Sequence, residues 1–155
     1  MPNPPAPDRD GSALRIASVV ARFNEHITAR LLEGAESVAS ACSVGTHDVF
    51  WVPGSFELPV VALKLAQSGR YDAVVCLGAV VRHETDHYTY IATGAATGIQ
   101  QASLQTGVPC LFGVLTCDTE EQAQARCGEK RNVGAEAMTA AIDTANLLRS
   151  INDNT

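Results

Sequence analysis

The sequence predicts an α/β fold, a three-layer α/β/α sandwich built on a four-stranded parallel sheet. Three observations lead there. Four short β-branched runs alternate with longer stretches of helical period, the third and fourth runs (residues 73–81 and 109–116) are apolar at nearly every position, and the intervening stretches are long enough to cross from one strand to the next. Strands apolar on both faces belong to a parallel sheet covered by helices on each side, and such crossovers are right-handed.

Residues 1–12 combine Pro2, Pro4, Pro5 and Pro7 with Asp8, Arg9, Asp10 and Gly11, too few apolar groups to fold, and read as a flexible or extended arm ahead of a single domain over 13–155. The first strand is expected at 14–20. Residues 25–42 set Ile27, Leu31, Ala35, Val38 and Cys42 three and four apart, which is one helical stripe. A second strand at 48–52 precedes a helix over 56–67, with Pro59 in its first turn and Gly69 beyond its end. After the third strand, 87–106 carries Gly94, Ala95, Ala96, Gly98 and Ala102 and stops at Gly107. So small a surface suits close helix contact between subunits. Beyond the fourth strand, Asp118 or Thr119 with Glu121 resembles the start of a short helix reaching Cys127, and 134–149 forms a last amphipathic helix.

The 155 residues, 46% hydrophobic and 18% charged, suffice for one packed domain. A net charge of −6 argues against nonspecific binding to nucleic acid or anionic membrane, so any phosphate site must be local. No apolar run approaches the roughly 20 residues of a membrane span, and the Pro-rich start lacks the regions of a signal peptide, from which a cytoplasmic protein is expected. Five cysteines without a C-x-x-C suggest buried thiols, with neither a disulfide framework nor a zinc site.

Open parallel sheets bind ligands beyond the carboxyl ends of their strands. Four loops fall there: residues 21–24, 53–57, 82–87 and 117–118. Phe23 could stack on a planar heterocycle or staple the following helix. In Pro53-Gly54-Ser55-Phe56-Glu57 the glycine permits a turn, and Glu57 could accept hydrogen bonds from sugar-type hydroxyls; a capped helix start is the plainer reading. The third loop, Arg82-His83-Glu84-Thr85-Asp86-His87, places six polar residues between a buried strand and a helix. An imidazole there, His87, can move protons near neutral pH. His83-Glu84-Thr85-Asp86-His87 satisfies the letters of a zinc-protease helix, but it leaves a strand directly and has no third ligand, so no metal is expected. Dinucleotide, P-loop and serine-hydrolase motifs are absent from the sequence. A phosphate could bind at the Glu84-Thr85 backbone if an arginine joined it, and Arg126 is a candidate, the alternative being a partner for its own helix end.

Taken together the loops resemble the 6,7-dimethyl-8-ribityllumazine synthases. The marks are Ala21-Arg22-Phe23-Asn24, Val52-Pro53-Gly54-Ser55-Phe56-Glu57-Leu58-Pro59, Leu77-Gly78-Ala79-Val80-Val81-Arg82 followed by Glu84-Thr85-x-His87-Tyr88, Phe112-Gly113-Val114-Leu115-Thr116, Glu121-Gln122-Ala123 with Arg126, and Gly134-Ala135-Glu136-Ala137. The resemblance implies a flavodoxin-like domain that condenses 5-amino-6-ribitylaminouracil with 3,4-dihydroxy-2-butanone 4-phosphate, releasing a lumazine, phosphate and water, with neither metal nor redox cofactor. It also implies that Phe23 stacks on the pyrimidine, that Ala79, Val80 and Val81 offer it backbone groups, and that Ser55, Phe56 and Glu57 hold the ribityl chain. His87 would shuttle protons, Glu84, Thr85 and Arg126 would bind phosphate, and Phe112 would enter from a neighbouring subunit of a homopentamer, alone or as one of twelve in an icosahedral shell.

Two positions depart from the resemblance. His83 stands where these synthases usually have glycine, and Val133 where Asn-Lys-Gly would place a lysine near the pyrimidine; Lys130 or Arg131 could supply that charge instead. Two further readings fit the same fold: a passive flavin-binding module and a noncatalytic shell protein. His87 beside a phosphate loop and Arg126 favours chemistry over both.

Overall fold

The structure, a computed structural model, describes residues 3–154. Strands β1 (Arg15–Ala21), β2 (Thr46–Val52), β3 (Ala73–Val81) and β4 (Cys110–Cys117) form one sheet in the order β2-β1-β3-β4. All three pairings are parallel. Helices α1 (Glu25–Ala41), α2 (Leu58–Gln67), α3 (His87–Thr106), α4 (Glu120–Ala125) and α5 (Val133–Asp153) complete the three layers. The chain steps outward from β1 to β2, then crosses back to β3 and on to β4. Right-handed crossovers in opposite directions put α1 on one face and α2 and α3 on the other, and α5 returns beside α1. Each face has its own core: Ile27, Leu31, Met138 and Ile142 with Leu77 on one side, Leu58, Ala62 and Ile99 with Val74 and Cys76 on the other.

Several boundaries differ from the sequence reading for physical reasons. The segment expected as one helix from residue 56 begins with a 3-10 turn over Ser55–Glu57 before α2 takes over. Strand β2 starts at Thr46, opposite Arg15, because pairing with β1 draws in two polar residues that no hydrophobic pattern marks. Helix α4 is held by a reciprocal capping box between Thr119 and Gln122. The expected partner was Glu121, which is one residue too early for an N-cap at Thr119. The last helix continues past 149 to Asp153.

Three findings bear on the surface. The fourth run was expected to be covered on both faces, yet β4 is an edge strand with Phe112 40% exposed. The small residues of α3 were expected to face another subunit. Instead Gly94 and Gly98 leave room inside the chain, their added Cβ atoms falling 2.7 Å from the Phe56 ring and 2.6 Å from Pro59, while Ala95 and Ala102 are buried. Ala92, Thr93, Ala96 and Thr97 line a groove on the outer side of α3, shared with Phe112 and Thr116. The N-terminal arm has no regular secondary structure over its described residues, and its end lies on α5: Arg9 pairs with Asp143 at 3.0 Å, and Asn146 donates to the carbonyls of Asp8 and Asp10 at 2.9 and 3.0 Å. Met1 and Pro2 of that arm lie outside the described residues, as does Thr155 at the other end.

Four of the five cysteines are buried thiols and Cys42 is half-buried. Burial pushes the Cys110 thiol up to about 11 and Cys76 higher still, so these sulfurs pack as small hydrophobes.

His47 shows how a half-buried imidazole reports on the fold. Its Nε2 lies 2.7 Å from the hydroxyl of fully buried Ser18, and burial lowers its pKa below the ordinary 6.5, with Glu36 and Asp48 pulling the other way. The unfolded chain therefore takes up a proton that the folded chain refuses. This contribution to stability is intact above the unfolded pKa of 6.5 and is lost as the pH falls below it. Thermal unfolding followed from about pH 7 to pH 5 should show a decline that is shallower in His47→Gln. Identical slopes in the two proteins would remove His47 from the explanation.

Candidate active site

The sheet reverses its strand order between β1 and β3, and the crevice at such a switch point is where ligands bind. A cleft of about 450 Å³ opens there, beyond the carboxyl ends of the strands. Its wall brings together Phe23 after β1, Ser55, Phe56 and Glu57 after β2, Ala79, Val80 and Val81 from the end of β3, Thr85 from the loop before α3, and His87 at the start of α3. These nine come from separate stretches of the chain, and parallel strands in register deliver them to one edge.

Phe23 is 66% exposed on the cleft, and the helical position it would staple holds Thr28, whose hydroxyl donates to the Ala21 carbonyl at 2.7 Å. Stapling is therefore not its role. Gly54 is not a turn glycine either, being extended at φ −152° and ψ 179°. Its missing side chain instead leaves space for the Glu57 carboxylate, whose Oε1 would lie 3.2 Å from an added Cβ. Ser55 is buried with its hydroxyl against Gly78, a contact that any Cβ at 78 would obstruct.

In the third loop, Arg82 bridges two elements. Its Nε donates to Asp118 at 2.9 Å, its guanidinium stacks over the Tyr88 ring at 4.4 Å, and its backbone N–H donates to the Cys117 carbonyl at 2.8 Å. The loop carrying Thr85 and His87 is thereby tied to the end of β4. His83 and Glu84 are irregular and the helix begins only at His87, so the zinc-protease letters do not lie on one helix. The sequence reading had set His83 aside, yet its side chain lines the cleft. Tyr88 and Ile91 line it too and were missed; for Ile91 the signal was its spacing of four from His87 on one helix face.

Three expected residues are not in the wall. Glu84 is exposed outside it. Phe112 opens instead into the outward groove, which shares Tyr88 with the cleft. Arg126 donates from Nη1 to the Gln122 carbonyl at 2.9 Å, closing the end of its own helix. Its charge still reaches the carboxyl end of β4, where it opposes the upward push of burial on Cys117. Of the substitutes for a lysine at 133, Arg131 is paired with Glu136 at 2.9 Å, Val133 packs against the core, and Lys130 is exposed.

The cleft thus offers exposed aromatic faces for a planar heterocycle, a carboxylate for hydroxyls, strand-end backbone for ring polar groups, and imidazole for proton movement. None of the described helices is long and apolar enough to cross a membrane. A family model described as 6,7-dimethyl-8-ribityllumazine synthase matches residues 13–149. The chain is also 55% identical over 141 residues to a Deinococcus radiodurans protein named 6,7-dimethyl-8-ribityllumazine synthase, spanning 89% of this chain and 91% of that one. The strand-end cleft, with its aromatic faces, carboxylate and imidazole, is accordingly a variation on a known theme, and the chain belongs to the 6,7-dimethyl-8-ribityllumazine synthase family.

Proposed function

We propose that the chain condenses 5-amino-6-(D-ribitylamino)uracil with 3,4-dihydroxy-2-butanone 4-phosphate to 6,7-dimethyl-8-ribityllumazine, phosphate and water, the penultimate step of riboflavin biosynthesis. The observation that carries the reading is the convergence of Phe23, Glu57 and His87 on one cleft at the switch point. The pyrimidine stacks on Phe23 against the Ala79–Val81 strand end, and the ribityl chain runs past Ser55, Phe56 and Glu57. Imine formation, phosphate elimination and ring closure each move a proton, which His87 relays. The backbone at Glu84-Thr85, at the rim of the cleft, receives the phosphate.

Phe112 and Arg126 join from a second copy, since in one chain neither reaches the cleft it would complete. That places the protein in a ring of identical subunits, a homopentamer, alone or as twelve pentamers in an icosahedral shell. An exposed Phe112 on an edge strand beside a groove of small residues supports a contact there. Acting on two soluble metabolites, the protein is placed in the cytoplasm.

The test is to mix the pure protein with both substrates and follow lumazine absorbance against phosphate. One phosphate per lumazine is expected, with neither product when one substrate is omitted. Tight binding of the pyrimidine without turnover would return the chain to the passive binding modules.

A further inference from the structure

We infer that Asn24 is a positioning residue that fixes where the Phe23 ring stands over the pyrimidine, a role that rests on the proposed function and deepens it. Asn24 opens α1 in the left-handed conformation, φ 60° and ψ 44°, which asparagine tolerates better than most residues. Asparagine at this position ordinarily caps its helix through its side chain. Here it makes no such bond, and its carbonyl instead accepts from the Ile27 and Thr28 N–H groups at 2.8 and 3.0 Å. The side chain is turned across the switch point, where Nδ2 donates to the Ala79 carbonyl at 2.9 Å.

On the other side, the Phe23 N–H donates to the Pro53 carbonyl at 3.0 Å. The stacking residue is therefore held between two loops, its own backbone to the end of β2 and its neighbour's amide to the end of β3. Without the second tie, the exposed ring would swing relative to the Ala79–Val81 edge against which the heterocycle lies. A misplacement of about 1 Å in such a site is enough to weaken productive binding.

Asn24→Gly keeps the positive φ and deletes the amide; Asn24→Asp keeps the size and φ tolerance but turns an acceptor toward a carbonyl. Both should raise KM for the pyrimidine, and its Kd measured by calorimetry, by roughly tenfold. KM for the butanone phosphate, the oligomeric state and the thermal midpoint should stay near wild type. In a Phe23→Ala background the same substitutions should add no further loss, because Asn24 acts through the ring. Equal effects on both substrates, a lowered thermal midpoint with unchanged pyrimidine binding, or full additivity with Phe23→Ala would overturn the assignment. An inactive wild type would sink the proposed function, while the pyrimidine calorimetry of Asn24→Gly and Phe23→Ala would still decide the role of Asn24.

Discussion

His87→Ala is expected to lower turnover by about 10²–10⁴-fold while leaving assembly and pyrimidine binding close to wild type, because it deletes a positioned acid–base group and little packing. His87 is the first residue of α3, exposed on the cleft, with its backbone N–H 3.4 Å from the Thr85 hydroxyl. The comparison is His83→Ala. That imidazole lines the same cleft from the irregular part of the loop. Its loss should cost much less. Steady-state rates of the two variants with both substrates saturating settle the matter: equal losses, or recovery of His87→Ala by added zinc, would contradict the assignment.

Arg126→Ala is expected to raise the half-saturating concentration of the butanone phosphate by roughly ten- to a hundredfold and to spare that of the pyrimidine. A guanidinium offers phosphate two parallel donors, whereas an ammonium is a point charge, so Arg126→Lys should recover only part of the loss. The bond from Arg126 to the Gln122 carbonyl engages Nη1 alone, and this exposed helix-end contact has little to contribute to stability. Thermal midpoints of the three proteins should therefore lie close together. Selective weakening of the pyrimidine would reassign Arg126 as the stand-in for the lysine that Val133 replaces.

What could be read from the sequence follows from what periodicity encodes. Ile27, Leu31 and Ala35 announce α1, and the unbroken apolar run of 73–81 announces a central strand, because both patterns arise from burial. The four strand-end loops were legible for the same reason: once strands are placed, topology decides which loops share an edge. Packing against a particular neighbour left no such trace. Gly54 makes room for the Glu57 carboxylate and Gly94 for the Phe56 ring, side-chain packing relations that a turn rule or a small-residue rule misreads. Nor does a hydrophobic pattern say which apolar strand ends up at an edge, so the exposure of Phe112 on β4 came only with the sheet order. His83 was set aside because its letters spelled a metal motif that the loop geometry does not support. The local rules for Asn24 predict a cap, and the tertiary bond to Ala79 overrides them.

In the proposed assembly the catalytic cleft is shared, with His87 supplied by one copy and Arg126 by the next. Subunit complementation tests it most directly. His87→Ala and Arg126→Ala chains bearing different tags would be co-expressed, and mixed assemblies isolated through both tags in turn. In a ring with head-to-tail contacts, random mixing leaves about a quarter of the sites with both residues intact. Assayed with butanone phosphate well below the wild-type half-saturating concentration, where Arg126→Ala sites are nearly empty, mixed assemblies are expected to recover about that fraction of wild-type turnover, above either parent. Turnover no higher than the average of the two parents would place His87 and Arg126 in the same chain's site and contradict it.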